Sequence, residues 1–422
     1  MPSRQLSPLP LSASAAPAGM PAGLVVLILA LSLGIQPVTT DLYLPALPSL
    51  SESFAAPMAQ AQYTLSALLL AFGCSQLIWG PLSDRFGRRP VLLIGLLAYT
   101  LASVGSTLAP TIQWLIGWRV LQGAAMGAVV MCARAIVRDL YLPAQGARII
   151  SKGMSGMGVL ACLAAPVGSL VSELSGWRLT LLVPALFGAA TLGLIAWRFE
   201  ETLPRPDARA LQPARLLHTW LTILRHPTFL VFSALSAASY GGLFVFLATS
   251  SFVFIKLLGL SKTQYGMVLF LLCFAYLLGT FLCRRLLPRF GVQTSTAMAA
   301  VISLSGGLLM AALAWAGIVN VWSLCIPFAL YMLGHGVHQP CGQTGAVGPF
   351  PQAAGTAAAL NGFFMMLVAF AMGSWLGTHM DGTARPLAYG LAGWSVVLAL
   401  TAWILVPRYG FSRASTAPVR PA

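Results

Sequence analysis

Twelve runs of mostly apolar residues, separated by short basic gaps, leave this chain few folds. They fall at about 22–46, 61–82, 90–109, 112–134, 149–171, 178–198, 227–250, 264–285, 293–317, 321–341, 355–379 and 386–407. Each is close to the ~20 residues that an α-helix needs to cross a bilayer. Strands of a membrane barrel would be about 10 residues long and would alternate apolar with polar. These runs are twice that length and do not alternate, so helices are expected. Composition agrees: 8% of residues are charged and 58% hydrophobic, where a soluble domain carries about 25% charged residues. The bilayer explains the deficit, because charge inside it is costly.

The formal net charge of +15 would suggest nucleic acid in a soluble protein. Here the arginines sit between apolar runs and form no compact basic module, so no nucleic-acid partner is expected. With the N-terminus inside, 19 of the 24 basic residues fall on the cytoplasmic side and four outside, leaving Arg119 within a span. That asymmetry places both termini in the cytoplasm. Residues 1–21 read as a disordered tail rather than a cleaved signal, because the small-residue stretch precedes the apolar run instead of following it. Residues 408–422 form a second tail. The longest gap, 199–226, holds Glu200, Glu201, Pro204, Pro206 and Pro213 near the chain midpoint. It divides a six-helix bundle over 22–198 from another over 227–407. The triplets Arg85-Phe86-Gly87 and Arg289-Phe290-Gly291 are 204 residues apart, which supports an internal repeat.

Of nine acidic residues only Asp41 lies inside an expected span. An ionised carboxylate there is costly, the property a group needs if it is to take up and release a proton. Arg119 lies on predicted helix 4 at a similar depth, about 8–11 Å below the outer surface at 1.5 Å per residue, so coupling to Asp41, direct or through water, is expected. Gln122, Gly123 and Met126 share the Arg119 face. Pro37 should kink the first helix by removing a hydrogen bond to residue 33. His335, His338 and Cys341 recur at a spacing of three, which a metal site also uses; satisfied polar contacts are the simpler reading, and no metal is expected. The seven cysteines read as small packing residues. Arg134, near the inner end of predicted helix 4, should snorkel to the membrane surface.

The stretch Gly80-Pro81-Leu82-Ser83-Asp84-Arg85-Phe86-Gly87-Arg88-Arg89 resembles the signature loop between helices 2 and 3 of the major facilitator superfamily. Asp41-Leu42-Tyr43-Leu44-Pro45-Ala46-Leu47-Pro48, Arg119-Val120-Leu121-Gln122-Gly123, Arg138-Asp139-Leu140-Tyr141 and Ala354–Leu360 are similar to motifs of its bicyclomycin- and chloramphenicol-resistance branch of drug/proton antiporters. The helix 5 motif of such antiporters is blurred here, as Ala165-Pro166-Val167-Gly168-Ser169. The resemblance implies an all-α membrane fold of twelve helices in two six-helix bundles. It also implies proton-coupled efflux of small amphipathic compounds across a bacterial inner membrane. The proton gradient would supply the energy, with no cofactor, and the working unit would be a monomer. Asp41 and Arg119 become the proton-coupling pair.

Asp84 is expected to latch the cytoplasmic face against the N-terminus of predicted helix 11, whose partial positive charge favours a carboxylate. Gly80, Arg85, Gly87, Arg88 and Arg89 complete that latch. Tyr43, Gln122, Met126, Tyr240, Phe244, Asn361 and Phe364 are candidate walls of the substrate cavity, since mostly apolar walls with a few polar groups suit amphipathic ligands. An exporter of an amino acid or sugar on the same fold is a second reading. A membrane-embedded enzyme is a third, disfavoured because neither GxSxG nor HExxH occurs and the interior acid has no acidic partner.

Overall fold

The computed structural model describes residues 20–141, 143–203 and 205–410, and no strand occurs among them. The expected tails lie outside the described residues, except for Met20–Pro21 and Arg408–Gly410. The helices are α1 Ala22–Thr40, α2 Leu47–Ser53, α3 Met58–Phe86, α4 Arg88–Thr107, α5 Ile112–Leu140, α6 Pro143–Arg198, α7 Pro213–Leu224, α8 Pro227–Ser251, α9 Lys262–Trp315, α10 Val321–Val347, α11 Ala354–His379, α12 Arg385–Leu400 and α13 Val406–Tyr409. A 3₁₀ turn, Leu44–Ala46, joins α1 to α2, and π-helical turns follow α8 and α12. Among the described residues, nine helical segments are long and apolar enough to cross a membrane. The polar side chains of His335, His338, Gln339 and Gln343 dilute α10, which is not one of the nine.

Two of these segments, α6 and α9, are each two helices turned about one glycine. Gly176 (φ 78°, ψ 175°) divides α6 and Gly291 (φ 71°, ψ 177°) divides α9. Gly87 makes the same turn between α3 and α4 at φ 101°, ψ 158°. This backbone region is nearly closed to residues with a Cβ. The two Arg-Phe-Gly triplets thus end in the same conformation, so the repeat seen in sequence is a repeat of local structure.

Within residues 22–198, α1 packs on α5 and α6, α3 on α5, and α4 on α5 and α6. Within 227–409, α8 packs on α10, α11 and α12, and α9 on α10 and α12. The two groups meet chiefly where α3 lies along α11 and α6 along α9. Large apolar side chains such as Leu174, Trp197, Trp315 and Trp322 remain on the outside, as a lipid-facing surface requires.

Two elements depart from the sequence reading. The first span does not run as one helix to residue 46: α1 stops at Thr40, Asp41 occupies its C-terminal position, and the chain turns before α2. The stretch 199–226 is not simply a loop, because Pro213 opens a regular helix, α7, with Leu217 and Leu221 exposed. Prolines and charges at the start of that stretch mask the amphipathic pattern that follows.

Nothing lies within 4 Å of a Cβ built on Gly176 or Gly291, so substitution there tests backbone strain alone. Gly176→Ala and Gly291→Ala should each lower stability by about 1–3 kcal/mol. Gly193→Ala, at a helical position equally free of neighbours, should not lower it. Thermal unfolding of the purified variants checks this.

Candidate functional site

Arg119 is fully buried and has no carboxylate partner among the described residues. Its guanidinium lies over the Tyr43 ring, 3.9 Å from the centroid. It donates to Gln122 Oε1 at 2.8 Å and to the Thr39 carbonyl at 3.5 Å. Gln122 in turn donates to Ser103 Oγ at 2.7 Å. Thr39 Oγ1 and the Tyr99 hydroxyl are 2.6 Å apart, and the Tyr43 hydroxyl and Thr64 Oγ1 2.8 Å. This polar knot ties α1, α3, α4 and α5 together. Spacing along α5 pointed to Gln122; Thr39, Tyr99 and Ser103 lie on other helices and carried no signal in the sequence.

Asp41 looks elsewhere. It accepts a hydrogen bond from Thr40 Oγ1 at 2.9 Å and makes no ion pair with Arg119. The expected pair is therefore not in direct contact, because the α1 terminus turns between them: the carbonyl two residues before Asp41 faces Arg119, while the carboxylate faces the second group of helices. There Asp41 is within electrostatic reach of Tyr240 on α8 and of Tyr265 and Cys273 on α9. Asp41 keeps partial access to solvent although protein surrounds it, the mark of a group lining an internal space.

The blurred helix 5 motif sits directly behind this turn. A Cβ at Gly168 would collide with the Leu42 carbonyl, so α6 reaches the peptide next to Asp41 only because residue 168 is glycine. Ser169 Oγ donates to the Pro166 carbonyl at 2.8 Å. On its far side Ser169 packs against Gly266 of α9. The motif is thus a spacer between Asp41 and the second group.

The two ends of the molecule differ. At one end, polar contacts cross between the groups: Glu52 pairs with Lys256, and Glu173 accepts from the Thr263 hydroxyl and, at 2.8 Å, from the Thr263 N–H. Lys262 Nζ donates to the Ser172 carbonyl at 3.0 Å. At the other end the signature-loop contacts stay with the first group and the chain that follows it. Arg88 bonds Asp84 at 2.7 Å and Asp139 at 2.8 Å. The Glu201 carboxylate accepts from the backbone N–H of Arg88 and Arg89 at 2.9 and 3.0 Å. It thereby caps α4, whose own preceding residue, Gly87, has no side chain to do so. Arg89 Nη2 donates to the Ala196 carbonyl, and the Asp207 N–H donates to the Asp84 carbonyl. Glu201 lies more than a hundred residues from the loop it caps, so no local pattern revealed it.

The expected contact of Asp84 with the start of α11 is absent in this conformation. Asp84 is held by Arg88 and, at 3.7 Å, by Arg138. Arg138 is the residue that reaches α11, beside Gly355. Gly80 packs near Met131 of α5, and Arg85 stacks on Phe86. Arg134, near the inner end of α5, is exposed and makes no hydrogen bond or ion pair among the described residues.

The cavity candidates divide. Tyr43, Gln122 and Met126 are buried within the first group, and Phe244 lies buried beside Gly373. Tyr240 is near Gln36 and Asp41. Asn361 is buried, with its Oδ1 unpartnered, and Phe364 is partly exposed beside Phe229 and Phe363. His335 contacts Ser239 Oγ at 2.8 Å, whereas His338 contacts the Thr296 carbonyl at 3.2 Å. The two rings face different helices and do not converge with Cys341.

The model of the Major Facilitator Superfamily matches residues 29–374. The chain is 31% identical to multidrug resistance protein D of Escherichia coli over 80% of this chain and 84% of that one. It is 26% identical to a bicyclomycin resistance protein homolog of Haemophilus influenzae, over 90% and 96%. It is 30% identical to a chloramphenicol resistance protein of Pseudomonas aeruginosa, over 76% and 75%. Among solved structures, a partially occluded inward-open xylose transporter of E. coli superposes with a TM-score of 0.72 at 15% identity, over 90% and 97% of the two chains. That likeness shows the fold. With a family model spanning most of its length and relatives alike over three quarters or more of both chains, the chain belongs to the major facilitator superfamily.

Proposed function

We propose that this protein exports small amphipathic compounds across a bacterial inner membrane in exchange for protons, by alternating access. The observation that carries the proposal is the placement of Asp41. It is an interior acid answered, among the described residues, only by a hydroxyl, at a break in the first span, facing the second group of helices. Such a carboxylate can hold a proton while closed off and lose it when the groups part or a substrate enters. Arg119 acts on it indirectly: by holding the Thr39 carbonyl and Tyr43 it fixes the turn on which Asp41 stands. The names of the drug-resistance relatives support the substrate class.

The proposed topology is twelve spans, obtained by dividing α6 and α9 at their glycine turns and counting α10. It forms two six-helix bundles over 22–198 and 227–407, joined by 199–226, with both termini cytoplasmic. In that orientation Glu52–Lys256 and Glu173–Thr263 close the outer face. The Gly80–Arg89 loop closes the inner face in the alternate state.

Asp41→Asn should abolish substrate-induced proton release from purified protein, measured with a pH dye in weak buffer against a panel of chloramphenicol-like, bicyclic and cationic compounds. Release equal to wild type from the variant would remove Asp41 as the carrier. Replacing Glu52 and Glu173 by glutamine should weaken the outer closure. Spin labels beside the Gly176 turn of α6 and at the Lys262 end of α9 should then report a larger share of long distances; an unchanged distribution would reject the latch.

A further inference from the structure

Helix α7 carries more apolar surface than the protein around it covers. At about 100° per residue, Leu216, Trp220 and Ile223 fall on one flank of its apolar face and Leu217 and Leu221 on the other. Arg215, His218 and Thr222 lie opposite. The helix packs against α8 and α11, and the first flank meets the protein: Ile223 is buried, and Leu216 and Trp220 are half-buried. The second flank does not, since Leu217 is 55% and Leu221 39% exposed.

The chain itself shows what lies beside that flank. Arg225 and His226 are all that separates α7 from Pro227, where α8 begins. Helix α8 opens a segment long and apolar enough to cross a membrane, so the end of α7 stands where the bilayer starts. His226, at the joint, meets the edge of Phe350 shortly before α11. Helix α7 thus borders the ends of two spans.

Charge agrees with that placement. Arg205, Arg209, Arg215 and Arg225 are exposed, and Asp207 is the one acid in residues 202–226. Asp207 pairs with Arg215. The side chains of Arg205, Arg209 and Arg225 have no carboxylate partner among the described residues. Arginines clustered next to a span attract anionic lipid headgroups, and their planar forks match phosphate oxygens. A helix with one apolar and one polar face settles at such a boundary.

We propose that α7 is an interfacial helix: Leu217 and Leu221 enter the boundary between headgroups and acyl chains, and Arg209 and Arg225 bind the phosphates of anionic phospholipids. The proposal rests on α8 crossing the membrane; in the proposed topology the leaflet is the cytoplasmic one. The Asp207 N–H donates to the Asp84 carbonyl, so the stretch that binds lipid also touches the signature loop.

Two measurements on the full chain in nanodiscs test this. Neither uses a transported compound or a proton gradient, so the result stands apart from the Asp41 experiment. In the first, p-acetylphenylalanine coupled to a nitroxide replaces residue 217, 221 or, on the polar face, 218, leaving the native cysteines untouched. Oxygen should relax the labels at 217 and 221 more strongly than an aqueous nickel chelate does, with the order reversed at 218. In the second, a rising share of phosphatidylglycerol in phosphatidylcholine should raise the unfolding temperature of wild type. The double variant Arg209→Gln, Arg225→Gln should need roughly fivefold more of this lipid for the same gain, and Leu217→Ser with Leu221→Ser should lose most of the gain. Arg385→Gln, exposed at the start of α12, should keep it. The proposal is overturned if the chelate reaches 217 and 221 as readily as 218, which puts the face in water, or if neither reagent reaches them, which puts protein over it. It is also overturned if wild type gains nothing from the lipid or if either double variant keeps the wild-type response.

Discussion

A buried guanidinium with no carboxylate partner among the described residues organises the first half of this protein. Taking an unpaired charge out of water is expensive, and Arg119 is fully enclosed. What offsets that cost is the Tyr43 ring face, worth up to ~2 kcal/mol when desolvated, together with the Gln122 and Thr39 oxygens. Supplying them requires the first span to break: Thr39 turns its carbonyl inward, and Tyr43 folds beneath α5. Asp41, between them, is left facing the other way. The acid and the base thus sit on opposite sides of one turn.

The contrast between the two ends follows from where charges find partners. At the Glu173 end, acids of the first group reach Thr263 and Lys256 across the divide. At the Asp84 end, the acids are satisfied close to home, Asp84 and Asp139 by Arg88, and Glu201 by the first turn of α4. A helix N-terminus presents N–H groups that need acceptors, and Glu201 meets that need where Gly87 cannot. This state is therefore closed by polar contacts at one end, while Arg138 of α5 approaches α11 at the other.

The all-helical fold with helices long and apolar enough to cross a membrane, and the repeated glycine turn, were legible in the sequence, because hydrophobic length and glycine punctuation are local properties. Gly87 and Gly291 advertise one turn twice. Asp41 and Arg119 were legible as the acid and base placed within spans, since the bilayer makes such residues rare. Their relation was not legible: helical depth placed them side by side, and the break at Thr40 turned them apart. α7 was hidden because the prolines and charges of residues 200–213 outweigh the apolar pattern that begins at Leu216.

The sequence by itself determined that this chain crosses a membrane repeatedly and which few polar residues lie within the spans. Those follow from transfer energies summed along the chain, and each term belongs to one residue. Only the tertiary structure decided that Gly168 sets the distance from α6 to Asp41, that Glu201 caps α4, and that Asp41 and Arg119 lie apart. Each depends on two segments far apart in sequence meeting at a particular rotation and depth, and no single segment carries that information.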